Sequence, residues 1–172
     1  MTVLKTGFSA VLMFMVAMGL AGCQSSIWPG DETPDVTKLP STLGLTLLAD
    51  KDINPNESQV ASPVAFQLIW MSEDSKLMAT DIDQLHEKKI EDTLGKNYIN
   101  HQEFTLVPGQ YKYLPPVELD KDVKYIGVVV YYSQPNNSQW KKALKVFPLG
   151  RHYQVLVHLH RDSVDILKES ED

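Results

Sequence analysis

From Leu43 onward, apolar and polar residues alternate, with Leu43, Leu45, Leu47 and Ala49 on one side of an extended chain. A period of two marks a half-buried strand, because successive side chains point to opposite faces. The alternation stops at Asp50-Lys51-Asp52-Ile53-Asn54-Pro55-Asn56. Clustered Asp and Asn and an Asn-Pro step favour a turn over a continued ladder. Strand character returns with Val64, Phe66, Leu68 and Trp70. Between about residues 75 and 97 the spacing widens to Leu77, Met78, Ile82, Leu85, Ile90 and Leu94, without proline and with Gly95 as a stop. One or two amphipathic helices fit that spacing.

The rest of the chain reads as β again. Phe104 to Val107 leads to a turn at Pro108-Gly109, and the two prolines Pro115-Pro116 make the next strand an edge or a bend. Tyr125 to Tyr132 is an unbroken apolar and aromatic run, which suits a strand covered on both faces or central in a sheet. Strands over residues 140–147, 153–160 and 163–168 follow, the last two joined by a tight hairpin at Arg161-Asp162. About eight short strands with frequent turn signals predict a mainly β fold, a two-sheet β-sandwich with a small helical insertion. No internal repeat is visible.

The first residues follow another pattern. Lys5 precedes an apolar run from Gly7 to Leu20, which is too short for a spanning helix of roughly 20 apolar residues. The run closes on Leu20-Ala21-Gly22-Cys23, which resembles the lipobox of bacterial secretory lipoproteins. That resemblance implies cleavage before Cys23 and lipidation of its thiol and new amino group, giving three acyl chains where one would anchor only marginally. Gln24, in place of an aspartate, favours the outer membrane. Residues 1–22 are then a signal peptide, residues 23–41, with Pro29, Gly30, Pro34 and Pro40, a lipidated tether, and residues 42–172 the sandwich.

Composition narrows the chemistry. Cys23 is the single cysteine, so the sandwich has no disulfide and no thiolate nucleophile. Lys5 is the only charge in the signal, which leaves 15 Lys and Arg against 22 Asp and Glu, a net charge of about −7 and a poor match to nucleic acid. His152, His158 and His160 share one parity on a strand and are the most suggestive metal constellation, since imidazoles at i and i+2 can share a zinc ion. Tyr153, Val155, Val157 and Leu159 take the opposite, core-facing parity, so the histidines are read as outward-facing residues without a ligand role. The acidic pairs at Asp50/Asp52, Glu73/Asp74, Asp81/Asp83, Glu91/Asp92 and Asp120/Asp122 read as solvated loops and helix faces. The calcium-loop spacing that begins at Asp50 fails at Pro55 and Ala61, where glycine and glutamate are needed. No nucleophile elbow or phosphate loop is present. No catalytic residue, metal or cofactor is expected. Trp70 continues a core parity, and Trp140 suits either a core edge or a contact surface.

Several segments in order behind the lipobox resemble the TssJ (SciN) family of type VI secretion lipoproteins. They are Ala49 through Asn56, Ser62-Pro63-Val64 opening a strand, Leu85 in the helical segment, Leu106-Val107-Pro108-Gly109, Ile126-Gly127-Val128-Val129, and Trp140. The resemblance implies a transthyretin-like sandwich at the outer membrane that binds the periplasmic C-terminal part of TssM, an inner-membrane protein. It also implies that the loop joining the first two strands, residues 51–62 here, makes that contact. The loop residues singled out are Asp52, Ile53, Asn54, Pro55, Asn56 and Val60. The alternatives are a periplasmic ligand-binding or inhibitor lipoprotein and a metal-dependent enzyme around His158 and His160.

Overall fold

The computed structural model describes residues 35–169. Eight strands form: β1 (Thr42–Ala49), β2 (Val64–Met71), β3 (Tyr98–Leu106), β4 (Tyr111–Glu118), β5 (Tyr125–Val130), β6 (Lys141–Lys145), β7 (His152–Leu159) and β8 (Val164–Lys168). They make two sheets of four, ordered β4-β1-β7-β8 and β3-β2-β5-β6. All neighbours are antiparallel except β1 and β7, which run parallel in full register from Thr42 opposite His152 to Ala49 opposite Leu159. This is the mainly β, two-sheet architecture that the alternation predicts.

The alternation also decides what lies between the sheets. Leu43, Leu45, Leu47 and Ala49 of β1 and Tyr153, Val155, Val157 and Leu159 of β7 share one buried cluster with Phe66, Leu68 and Trp70 of β2 and Ile126, Val128 and Val130 of β5. Each large aliphatic side chain so placed contributes about 1.5–3 kcal/mol relative to exposure. The continuous apolar run is explained by a second cluster on the outer face of the β2/β5 sheet. There Ile69, Met71 and Val129 pack against Leu77, Leu85, Ile90 and Leu94 of the helical insertion. Gly127 makes the approach possible: a Cβ there would stand 2.6 Å from Leu77 Cδ2 and 2.7 Å from Met71 Cε.

The insertion contains three short helices, not the expected one or two: α1 (Ser75–Ala79), α2 (Ile82–Glu87) and α3 (Ile90–Leu94). Thr80 and Lys88 turn extended and end the first two, and Asp81 with Gln84 forms a capping box that restarts the helix. Gly95 ends α3 with φ +54°, as its position in the sequence suggests. Helices of five or six residues have no independent stability. They hold because their apolar sides seal the sheet and because Lys141, at the start of β6, donates to the carbonyls of Leu77 at 3.2 Å, Met78 at 2.8 Å and Thr80 at 2.5 Å. Its ammonium also lies 4.7 Å from the centre of the Trp140 ring. Burial lowers the Lys141 pKa, opposed by the charge of Asp81.

β4 is an edge strand, and the β1 register shifts between Leu43 and Leu45, opposite Val117 and Leu114. Pro115 and Pro116, which have no N–H to give a ladder, occupy that irregularity. At the start of β1, Pro40 bridges to Leu149, and the Ser41 N–H donates to Pro148 O at 2.8 Å. Pro40 and Ser41, assigned to the tether from sequence, are thus fastened to the sandwich. The signal segment, Cys23, Trp28 and residues 24–34 lie outside the described residues.

Replacing Lys141 by Met, which keeps the stem and removes the ammonium, is expected to cost about 1–3 kcal/mol by leaving helix-end carbonyls unpaired. Proteolysis should then cut first within residues 72–97, and cleavage spread evenly over the domain would contradict this account.

Candidate functional site

Strand direction gathers the loops at residues 50–63, 107–110, 131–140 and 160–163 at one end of the sandwich. Backbone hydrogen bonds join them: Asn54 N to Arg161 O at 2.9 Å, Gly109 N to Asp50 O at 3.1 Å and Gln139 N to Asp162 O at 2.9 Å. The chain enters β1 at the other end. Eight extended residues at roughly 3.3 Å each separate that entry from the loop end by about 25 Å.

The loop predicted to meet a partner is a built structure. Ser62 N donates to Ile53 O at 3.1 Å, and Asn56 N to Val60 O at 2.9 Å, so the segment folds on itself. At its tip the Asn56 side chain accepts from Ser58 N and Val60 N, each at 3.0 Å, and Gln59 takes φ +63°. At its root Asn54 takes φ +47°, a region Asn tolerates better than most residues. Asn54 Nδ2 donates to Pro63 O at 2.9 Å while its Oδ1 accepts from Ser133 N at 2.7 Å, which binds the loop to its neighbour across the sandwich end.

The structure divides the predicted contact residues between interior and surface. Ile53 is fully buried in the core and Asn54 is 5% exposed, so neither offers a surface to a partner; both shape the loop from within. Pro55 is half-buried, Asp52 and Asn56 are exposed, and Val60 is an apolar side chain 59% exposed at the tip. Arg161, read from sequence only as part of a hairpin, braces the loop, with Nη2 donating to Gln59 Oε1 and Nη1 3.6 Å from Asp52 Oδ2. Behind it, the buried Tyr132 hydroxyl lies 2.5 Å from Ser163 O and 3.1 Å from His160 O. Burial, then the charges of Asp162, Asp50 and Asp165, push that phenol above its ordinary pKa.

The loop starts from a second cluster. Asp50 Oδ1 lies 2.7 Å from His158 Nε2 and Asp50 Oδ2 lies 2.9 Å from His160 Nδ1, while His160 Nε2 lies 3.3 Å from Asp165 Oδ2. Lys142 Nζ stands 3.3 Å from Asp165 Oδ1. His158 and His160 do face outward, as parity predicts, but they are only half-exposed and Asp50 joins them; His152 sits apart, with Nδ1 2.9 Å from Thr42 Oγ1. Partial burial pushes the Asp50 carboxyl up, but hydrogen bonds from His160 and His158, with the charge of those rings, bring it below its ordinary value. The Asp165 carboxyl is also held low, first by the hydrogen bond from Lys142. A carboxylate between two imidazoles 108 and 110 residues away needs the β1–β7 pairing, which sequence reasoning did not supply. Trp70 is buried in the core, and Trp140 is half-buried against both clusters.

A family model described as Type VI secretion lipoprotein (VasD, EvfM, TssJ) matches residues 41–162. The chain belongs to this family of type VI secretion lipoproteins. Its fold is similar to that of the lipoprotein TssJ1 from Pseudomonas aeruginosa, at 23% identity and TM-score 0.71, covering 78% of this chain and 100% of that one. It is similar also to Lip of Serratia marcescens, a membrane-bound component of the type VI secretion system, at 21% identity and TM-score 0.66, covering 77% and 100%. A third likeness, at 19% identity and TM-score 0.61 over 73% of this chain and 97% of the other, is to a chain of the structure of the T6SS protein TssM C-terminal domain from EAEC. No curated protein sequence matches the chain. The matched segment takes in the loops at residues 50–63, 107–110 and 131–140 and most of that at 160–163.

Asn54→Ala removes both side-chain hydrogen bonds and leaves Ser133 N without a partner, for an expected loss of about 2–3 kcal/mol. Asn54→Gly, which accepts the left-handed backbone, should recover roughly 1 kcal/mol of that loss. Denaturant midpoints of the two variants test the ordering, and equal stability of Ala and wild type would refute the role given to Asn54.

Proposed function

We propose that this type VI secretion lipoprotein is a structural, non-catalytic anchor of the outer membrane, lipidated at Cys23, which holds the periplasmic C-terminal region of a TssM-like inner-membrane protein. The observation that carries the reading is the polarity of the sandwich. Residue 41, which follows Cys23 in sequence, leads into β1 at one end, and the braced loop of residues 50–63 stands at the other. A tether at one end and a recognition loop at the other suit a protein that joins two layers of an envelope. The family membership supports the secretion role, and the likeness to a chain from a TssM structure supports the choice of partner.

Within the loop, contact falls to the exposed residues. Val60 is the apolar anchor at the tip, with Asp52, Pro55 and Asn56 around it, while Ile53 and Asn54 preserve the shape that presents them. A rigid loop loses little conformational entropy on binding.

Copurification after membrane solubilisation tests the proposal. The intact lipoprotein should recover a TssM-like protein. Val60→Asp should lose it at least tenfold with stability changed by no more than about 0.5 kcal/mol, as for an exposed position. Cys23→Ala should leave a folded domain that still binds the partner but no longer sediments with the outer membrane, and secretion should fail. If the intact lipoprotein recovers no such protein and Cys23→Ala leaves secretion unchanged, the proposal is wrong.

A further inference from the structure

The geometry points to a divalent transition-metal site of the zinc class at the root of the loop, with Asp50, His158 and His160 as its protein ligands and Asp165 as the carboxylate that orients His160. One ligand atom from each of Asp50, His158 and His160 can be chosen so that all lie within 4.8 Å of one another. The donor set, two imidazole nitrogens and a carboxylate oxygen, is one that zinc accepts, leaving a further position for water or a partner's side chain. His158 and His160 are at i and i+2 on one strand edge, and Asp50 extends the neighbouring parallel strand by one residue on the same face. His158 thus stands on β7, and Asp50 and His160 are the first residues past the paired ends of β1 and β7.

The contacts around the cluster support the assignment. Three imidazole nitrogens thus converge on two carboxylates, the kind of donor set a cation organises. Both His160 ring nitrogens face carboxylates, and its ring centre lies 3.9 Å from that of His158. A zinc ion would take His158 Nε2 and His160 Nδ1 as ligand atoms. His160 keeps its Nε2 proton and donates it to Asp165, the carboxylate–histidine–metal arrangement that fixes a ligand's tautomer. Lys142, already beside Asp165, opposes the added charge. Tetrahedral donors about 2.0–2.1 Å from zinc are roughly 3.3 Å apart, so the present 2.7 and 2.9 Å contacts would open as the Asp50 carboxylate draws back to admit the ion. Bound metal would lock the start of the loop to the end of β7.

The test uses the full-length lipoprotein purified in detergent and stripped with chelator, titrated with zinc alone in a calorimeter. About one zinc per chain is expected, absent in Asp50→Ala, His158→Ala and His160→Ala and retained in His152→Ala and His101→Ala. Asp165→Asn should weaken binding about 10- to 100-fold. Cobalt(II) added to the unsubstituted protein should give the visible absorption of a low-coordinate imidazole site, which needs no variant to fold. Absence of zinc binding by the stripped protein overturns the site, as does zinc binding that survives Asp50→Ala. Partner copurification plays no part in these readouts, so they stand or fall separately from the proposed function.

Discussion

The rest of the structure depends on the closure of two apolar sheet faces on each other. The only cysteine lies at position 23, so no disulfide supports the domain from 42 onward, and cohesion comes from the alternating rows of β1 and β7 against those of β2 and β5. Because side chains in a strand alternate strictly, a one-residue slip in the parallel β1–β7 pair would turn Leu43, Leu45 and Leu47 outward and destroy the core. That register is therefore firmly held. It also fixes where everything outside the core can go.

Asp50 illustrates the consequence. It is the first residue past β1 on the outward parity, and the register sets it beside His160 with His158 one step back. The same pairing brings Arg161 over Asp52 and Gln59, and the closure of the two sheets sets Asn54 beside Ser133. A loop that sequence pattern presents as a polar stretch rich in turn formers is held by the Arg161 side chain and the Ser133 N–H from two other loops. Its shape belongs to the sandwich end as a whole, which suits a recognition element whose geometry must survive in solution. The two sheets differ on their outer faces for an equally simple reason. Val129, Ile69 and Met71 leave an apolar outer face that needs the helical insertion as a cover, whereas the outer face of the β1/β7 sheet carries His152, Gln154, His158 and Asp165.

Much of the architecture is legible in the sequence. Period-two alternation locates the strands, Pro108-Gly109 and Arg161-Asp162 mark their turns, and the continuous run at Tyr125–Val130 signals a strand covered on both sides. The number of helices was less legible, because the apolar spacing from Leu77 to Leu94 is compatible with a longer helix; the local capping by Asp81 and Gln84 divides it. Of the loop residues, type alone could not separate Val60 from Ile53. Both are β-branched and apolar, yet the turn geometry sends one into the core and the other into solvent.

The sequence by itself determined the strand alternation, the acidic balance, the single cysteine behind a lipobox-like segment and the family resemblance, since these are properties of neighbouring residues or of composition. Only the tertiary structure decided that Asn54 is an internal brace, that Arg161 and Ser133 belong to the loop, and that Asp50, His158 and His160 meet. Each of these joins residues about 80 to 110 positions apart, and strand pairing between distant segments is set by the collective packing of two sheets. No local pattern along the chain records it.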